Sequence, residues 1–198
     1  VQNDHNGLIV ASGVFPGSNG YRAVGGFQAA TAALTGFGGG AAFVGADGTS
    51  ALLAGTATAL FRYSGSAWTS LIGSLTATRW RFAQFVSQVT GLDLAIGVYG
   101  GVPVKVNLLT GAAAVLGGSP PEARFICVAG DFVVLAGDTA ANSTITWSGQ
   151  ENPESWTSGT NLSGFQPLPD GGAITGLIGI DNYFLTFKRG LIYRSTFI

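Results

Sequence analysis

The feature that most constrains the fold of this chain is a repeat of short strands. Phe61, Val104, Ile145 and Ile192 each fall in the third predicted strand of a unit, and the intervals between them are 43, 41 and 47 residues. Units of roughly 40–50 residues with four short strands each are typical of β-propeller blades. One such sheet cannot bury both of its faces alone, so the units are expected to stack on one another.

Tight-turn residues separate the predicted strands within each unit. Asp47-Gly48 and Ser64-Gly65 lie between apolar runs, and glycine accepts the positive φ of a hairpin turn without steric cost. The predicted strands are 41–44, 51–54, 60–63 and 68–72 in the first unit, 80–89, 92–99, 102–109 and 112–116 in the second, 123–129, 132–136 and 143–147 in the third, and 173–180, 183–188 and 191–198 in the last.

The units set the predicted domain organisation. Three four-stranded units begin near Phe37, Thr78 and Glu122, and a fourth ends after three strands. A closed propeller needs at least four complete blades. Residues 37–198 are therefore predicted to form an all-β, propeller-like domain that is incomplete at its C-terminus. Residues 1–36, rich in turn formers, are predicted to be an extended N-terminal arm, with short strands at 8–10 and 14–15. A β-sandwich is the alternative fold.

The composition favours a protein that buries surface against partners. Only 10% of residues are charged, against about 25% in an ordinary soluble domain, and 46% are hydrophobic. The net charge of −1 disfavours a surface that grips DNA, which would carry a basic excess, and leaves DNA only as passing cargo. No apolar run reaches the roughly 18 residues that a bilayer span needs, so no membrane-spanning segment is predicted.

The residue types of catalysis do not converge in the sequence. The single histidine, His5, lies in the predicted arm, and the single cysteine, Cys127, lies in an apolar strand as a small hydrophobic residue. Most carboxylates sit beside Gly, Asn or Pro in turns. Glu151 and Glu154, which flank Pro153, are the one conceivable acid–base pair. We predict no catalytic, cofactor-binding or metal-binding residue, and no enzyme activity.

Four tryptophans recur in or beside the predicted strands. Aromatic side chains at recurrent positions are expected to lock one blade to the next. A sugar-binding platform is the functional alternative. The four residues are Trp68, Trp80, Trp147 and Trp156.

Several spaced motifs resemble a family of tailed-phage and prophage structural proteins. Together they cover about residues 20–198, and they depart from the family pattern at Asn152-Pro153, where Asp-Pro is more usual. Either residue stabilises such a turn. The motifs are GTATALF at 55–61, WRFAQF at 80–85, ITWSGQENPESW at 145–156, GTNL at 159–162, LPDGG at 168–172, ITGL at 174–177 and FLTFKRGLIYR at 184–194.

The resemblance implies a tail hub or nozzle component of a short-tailed phage. Such proteins carry propeller-type domains in a ring around the DNA exit channel, and the shared pattern identifies no catalytic residue. We therefore expect a virion structural protein, at the tail or the head–tail junction, that assembles with copies of itself and with neighbouring tail or portal-adaptor proteins. A carbohydrate-binding or depolymerising tail module is one alternative, and a secreted or cell-surface propeller that binds another protein is a second.

Overall fold

A computed structural model describes residues 14–17, 20–23, 31–87 and 90–197. The chain divides into two units, residues 1–30 and residues 31–198. In the first unit, strand β1 (Val14–Gly17) pairs antiparallel with β2 (Gly20–Ala23). The second unit consists of four antiparallel sheets, here called sheets I to IV, and the described residues include no helix. Accordingly, these residues contain no helix that is long and apolar enough to cross a membrane.

Sheets I and II each contain four strands in sequential order, so that every strand pairs with the next one along the chain. This order follows from short connections, which only allow antiparallel neighbours. Sheet I contains β3 (Phe37–Val44), β4 (Ser50–Thr56), β5 (Leu60–Tyr63) and β6 (Trp68–Ile72). Sheet II contains β7 (Arg81–Val86), β8 (Asp93–Val98), β9 (Val104–Asn107) and β10 (Ala113–Val115).

Sheets III and IV continue the same order with four and three strands. Strand β14 follows a long loop that begins after Trp147, which is why the apolar pattern of sheet III is interrupted before its last strand. Sheet III contains β11 (Phe125–Ala129), β12 (Phe132–Ala136), β13 (Thr144–Trp147) and β14 (Gly164–Pro167). Sheet IV contains β15 (Ile174–Ile180), β16 (Tyr183–Lys188) and β17 (Ile192–Thr196).

The sheets pack in series through their first strands. Strand β3 contacts β7, β7 contacts β11, and β11 contacts β15. Three hydrophobic clusters fill the joins between sheets I and II, II and III, and III and IV. Because side chains alternate across a strand, sheets II and III each supply one set of residues to the preceding join and the other set to the next join.

Strand β8 illustrates this alternation. Ala95 belongs to the cluster against sheet I, whereas Leu94 and Ile96 belong to the cluster against sheet III. We call the face that a sheet turns towards the next sheet its forward face, and the other its backward face. All six residues of β8 are buried, since sheets cover both faces.

The all-β prediction is confirmed, and the repeat is confirmed at the level of strands. Phe61, Val104, Ile145 and Ile192 lie in β5, β9, β13 and β17, which are the third strands of the four sheets. Some bounds differ: the strand predicted over 80–89 is Arg81–Val86, because Trp80 turns into the join between sheets instead of pairing. The strand predicted at 8–10 lies outside the described residues, and the boundary of the arm at residue 36 stays a prediction.

Candidate functional site

Sheets I and IV, at the two ends of the series, each have one face that packs against no other sheet of the series in the described part of the chain. In sheet IV, Phe184 and Thr186 point back to sheet III and are buried. Their neighbours along β16 point the other way, onto the forward face. The register places on this face Ile178, Ile180, Tyr183, Leu185, Phe187, Ile192, Arg194 and Thr196.

The forward face of sheet IV is apolar and partly open to solvent. Ile178 is 49% exposed and Ile192 is 64% exposed. The only charged side chain on this face is Arg194, whose guanidinium lies 4.4 Å from the centre of the Tyr183 ring. A cation above an aromatic ring keeps its charge partly satisfied within an apolar surface. Exposed apolar surface of this kind marks sites of interaction.

The backward face of sheet I has the same character. The register of its strands places there Ala42, Val44, Leu52, Ala54, Phe61, Tyr63, Trp68 and Ser70. Val44 is 60% exposed, and the Tyr63 and Trp68 rings pack together at 5.2 Å. The chain before β3 lies along part of this face, since the Trp68 Nε1 donates to the Ala32 carbonyl at 2.8 Å.

The join between sheets I and II is locked by Trp80. Its indole is buried and donates to the Thr56 carbonyl at 2.8 Å. It lies against Gly55 and Gly97, where a Cβ at either position would meet the aromatic rings. Phe82 stacks on it at 5.6 Å. The absence of a side chain at Gly55 is therefore what lets the indole reach the backbone of sheet I.

The same join carries a polar tie at Asp93. This carboxylate is buried and accepts hydrogen bonds from the Ala46 N–H at 2.6 Å and from the Gln84 amide at 2.8 Å. Ala46 belongs to the first hairpin of sheet I, so the tie fixes that turn to sheet II. An aspartate lies in or beside the first hairpin of each of the four sheets; they are Asp47, Asp93, Asp131 and Asp181.

Asp47 serves its own turn. It accepts hydrogen bonds from the Thr49 N–H at 2.8 Å and the Thr49 hydroxyl at 2.9 Å, and these bonds hold the pKa of Asp47 below its usual value. This is the turn chemistry that the sequence predicts for an Asp-Gly pair. Asp131 instead accepts from the Gln150 amide of the β13–β14 loop at 3.0 Å.

The two carboxylates of the candidate pair, Glu151 and Glu154, share no hydrogen-bond partner among the described residues. Glu154 bonds to the Lys105 ammonium at 2.8 Å and accepts from the Gly117 N–H at 2.6 Å, so it joins the β13–β14 loop to sheet II. Desolvation raises the pKa of Glu154, but the bonds from Lys105 and Gly117 and the charge of Lys105 outweigh it and lower the pKa overall. Glu151 has a left-handed backbone with φ of 54°, and its buried Oε2 has no hydrogen-bond partner within the described part of the chain.

Three of the four tryptophans lie at joins between sheets, as predicted, whereas Trp68 packs on Tyr63 at the backward face of sheet I. Trp156 is buried in the cluster between sheets II and III, and its indole donates to the Pro153 carbonyl at 2.9 Å. Trp147 donates to the Leu162 carbonyl at 2.8 Å and packs at the edge of Phe197. Since Trp156 is buried, its ring is not accessible as a stacking platform for a sugar beside Glu151.

Cys127 has the environment that the sequence predicts. It is buried in the cluster between sheets III and IV, and burial raises the pKa of its thiol to about 12. His5, the remaining side chain considered for catalysis, lies outside the described residues. Among residues that the structure describes, no group of three or more His, Cys, Asp or Glu side chains is arranged to hold a metal ion.

One feature that the sequence analysis missed is a cluster of arginines at the start of the first strands. Arg81 begins β7 and donates to the carbonyl of Arg124, which directly precedes β11, at 2.8 Å. The guanidinium of Arg81 also lies 4.4 Å from the centre of the Phe125 ring. Burial lowers the pKa of Arg81, and the nearby charge of Arg79 lowers it further. Arg124 and Arg189 both line a recess of about 420 Å³.

Arg81 and Arg124 are 43 residues apart in sequence, and they meet only because the first strands of neighbouring sheets begin at the same end of the series. The signal available in the sequence was the position of Arg79, Arg81 and Arg124 just before or at predicted first strands.

The comparisons with known proteins add no relative: no family model matches this chain, and no curated protein matches it.

Proposed function

We propose that this chain is a structural component of a bacteriophage virion, at the tail hub or nozzle or at the head–tail junction, and that it acts by oligomeric assembly around the DNA channel. The observation that carries the proposal is the pair of apolar faces at the two ends of the sheet series. An ordinary monomer covers its large apolar faces, so two such faces on one chain favour a role in assembly.

The serial packing of the sheets also supports a propeller-like arrangement over a β-sandwich. A sandwich has two sheets, each with one face towards the core and the other towards solvent. Sheets II and III instead use both faces in joins, and the contacts pass from first strand to first strand as they do around a propeller axis. We therefore infer an open arc of propeller-like blades, of which three have four strands and one has three.

The charge distribution is consistent with DNA as passing cargo. The chain is close to neutral, with a net charge of −1, and three of its arginines, Arg79, Arg81 and Arg124, lie at the starts of first strands. If the first strands line a channel, phosphates would meet these guanidinium groups at the mouth and a nearly uncharged wall beyond it. Such a wall would bind DNA weakly, since affinity for DNA follows the number of phosphates neutralised.

The proposal is tested by asking whether the chain is a stoichiometric part of the particle. Virions from a producing culture would be purified on a density gradient, and peptides of this chain quantified by mass spectrometry against a capsid protein and a portal protein. A fixed ratio that matches a ring of copies, retained after a salt wash, is expected. A chain that stays in the soluble lysate while capsid and portal sediment together would overturn the proposal.

A further inference from the structure

We propose that the forward face of sheet IV binds the backward face of sheet I of a second copy of this chain, so that copies associate head to tail. The inference rests on the proposed function, because it names the surface through which the assembly forms. It commits to another copy of the same chain as the partner.

The internal joins all run in one direction. At each join the forward face of one sheet packs on the backward face of the next, as Leu94 and Ile96 of sheet II do on Ile126 and Val133 of sheet III. Among sheets I to IV of the described residues, the two faces that no sheet covers are the backward face of sheet I and the forward face of sheet IV. One is a forward face and the other a backward face, so a head-to-tail contact between copies repeats a join that the chain already makes three times.

The chemistry of the two faces also suits such a contact. Apart from Ser70 and Thr196, the uncharged side chains named on them are aliphatic or aromatic, and the only charge among the described residues of these faces is that of Arg194. A contact between them would therefore leave a single charge to satisfy, and that guanidinium already lies over the Tyr183 ring. Burying a charge is costly unless it is paired, so faces with one charge between them suit a permanent contact.

The symmetry of the contact decides which assemblies can form. A head-to-tail contact uses two different surfaces of each copy, and such contacts produce rings when the rotation closes and filaments when it does not. A contact of sheet IV with sheet IV would instead give a dimer and bring two Arg194 side chains to one interface. The internal joins supply no example of forward face on forward face.

The test uses two variants of the full chain that each add one cysteine, Ala42→Cys in β3 and Ile178→Cys in β15. Because first strand packs on first strand at every internal join, these positions on the two free faces should come together between copies. Native Cys127 is buried, so it should not compete in cross-linking. Mixed variants treated with a short thiol cross-linker should yield a dimer of unlike copies, in at least tenfold excess over either variant alone.

A dimer that forms equally well from Ile178→Cys alone would overturn the head-to-tail contact in favour of a symmetric one. Absence of any dimer, with both variants folded by circular dichroism, would also overturn the proposal and would point to another protein, or to another part of the same chain, on these faces.

A charged substitution provides the second readout. Ile192→Glu places a carboxylate on the forward face of sheet IV, and the mass in solution is followed by analytical ultracentrifugation. Its matched control is Phe165→Glu on β14, an outer strand of sheet III, where the side chain is 56% exposed and lies on neither free face. We expect Ile192→Glu to raise the dissociation constant of the assembly by about tenfold or more, as loss of a central contact does, and Phe165→Glu to leave it unchanged.

Equal effects of the two substitutions would overturn the proposed contact. The outcomes also separate this inference from the proposed function. Copies that cross-link head to tail but are absent from virions would overturn only the virion role, whereas copies present in virions without the cross-link would overturn only the contact.

Discussion

At the scale of single residues, Cys127 offers a direct test of burial. Its pKa of about 12 lies above the usual value of 9.0 because the thiolate would be desolvated. The native thiol should therefore not react with a disulfide reagent at pH 8, whereas the denatured chain should react with one equivalent. Reaction of the native chain at the rate of the denatured one would contradict the burial of this side chain.

The same shift predicts an alkaline loss of stability. Since the folded pKa is raised, the contribution of the neutral thiol to the free energy of unfolding is fully present below pH 9. It is lost as the pH rises from 9 towards 12, because in that range the thiol ionises in the unfolded chain but stays neutral in the folded one. Cys127→Ala should remove this part of the pH dependence, measured by urea unfolding between pH 8 and 11. The neutral range serves as the control, because there neither state ionises.

Trp80 and Trp68 form a matched pair that separates a buried indole from a partly buried one. Each donates one hydrogen bond to a carbonyl at 2.8 Å, but only Trp80 is buried between two sheets. We expect Trp80→Ala to lower the free energy of unfolding by about 3–5 kcal/mol, as removal of a large buried aromatic side chain does, and Trp68→Ala to lower it by much less. Guanidinium unfolding followed by circular dichroism measures both; equal losses would show that Trp80 does not lock the join.

At the scale of elements, the β13–β14 loop is tied to sheet II by Glu154. Glu154→Gln keeps the shape of the side chain but removes the charge that Lys105 and the Gly117 N–H stabilise. Because the pair is partly exposed and screened by solvent, the expected loss at pH 7 is on the order of 1 kcal/mol or less.

The pH dependence distinguishes this charge effect from a general loss of packing. The folded pKa of Glu154 is lowered, so its contribution is present above the usual value of 4.5 and is lost as pH falls through the folded pKa. The difference in unfolding midpoint between the native chain and Glu154→Gln should therefore shrink as the pH falls below 4.5. Glu122→Gln, at an exposed site, is the control and should show no such difference.

The elements that could be predicted from sequence are those bounded by strong turn residues. Strands β5, β6, β12 and β16 have their predicted bounds, because Gly, Asp-Gly or Ser-Gly turns end the apolar alternation sharply. Strand β14 was not located, because it follows a long loop and has only exposed side chains after Gly164. A strand without a buried face lacks the alternation on which such a prediction depends.

At the scale of the whole molecule, the joins between sheets explain what the sequence could not predict about the candidate surfaces. The alternation in β16 shows that its two faces differ, but only the packing of Phe184 on sheet III identifies the face that is left free. Likewise Arg81 and Arg124 come together only because the first strands begin at one end. To predict a surface made by several sheets, one must know the order in which the sheets pack as well as the order of the strands.

That order predicts a gradient of local stability, which hydrogen exchange can measure. Strands β8 and β12 have hydrogen-bonded neighbours on both sides, sheets on both faces and no exposed residue. Strands β10 and β17 each lie at the edge of a sheet and bear exposed side chains. Amides that open only with the whole domain exchange slowest, so β8 and β12 should be the most protected, and β10 and β17 should exchange first.

Strand β10 is the internal control for β17, because it is an edge strand of sheet II, which has other sheets on both sides. Dilute chain should show comparable exchange in both strands. At higher concentration, a contact through sheet IV should slow exchange in β15, β16 and β17, whose faces it covers, and leave β10 unchanged. Uniform protection across all strands, measured by mass spectrometry on peptides of each sheet, would contradict a series of separate joins and would indicate one continuous core.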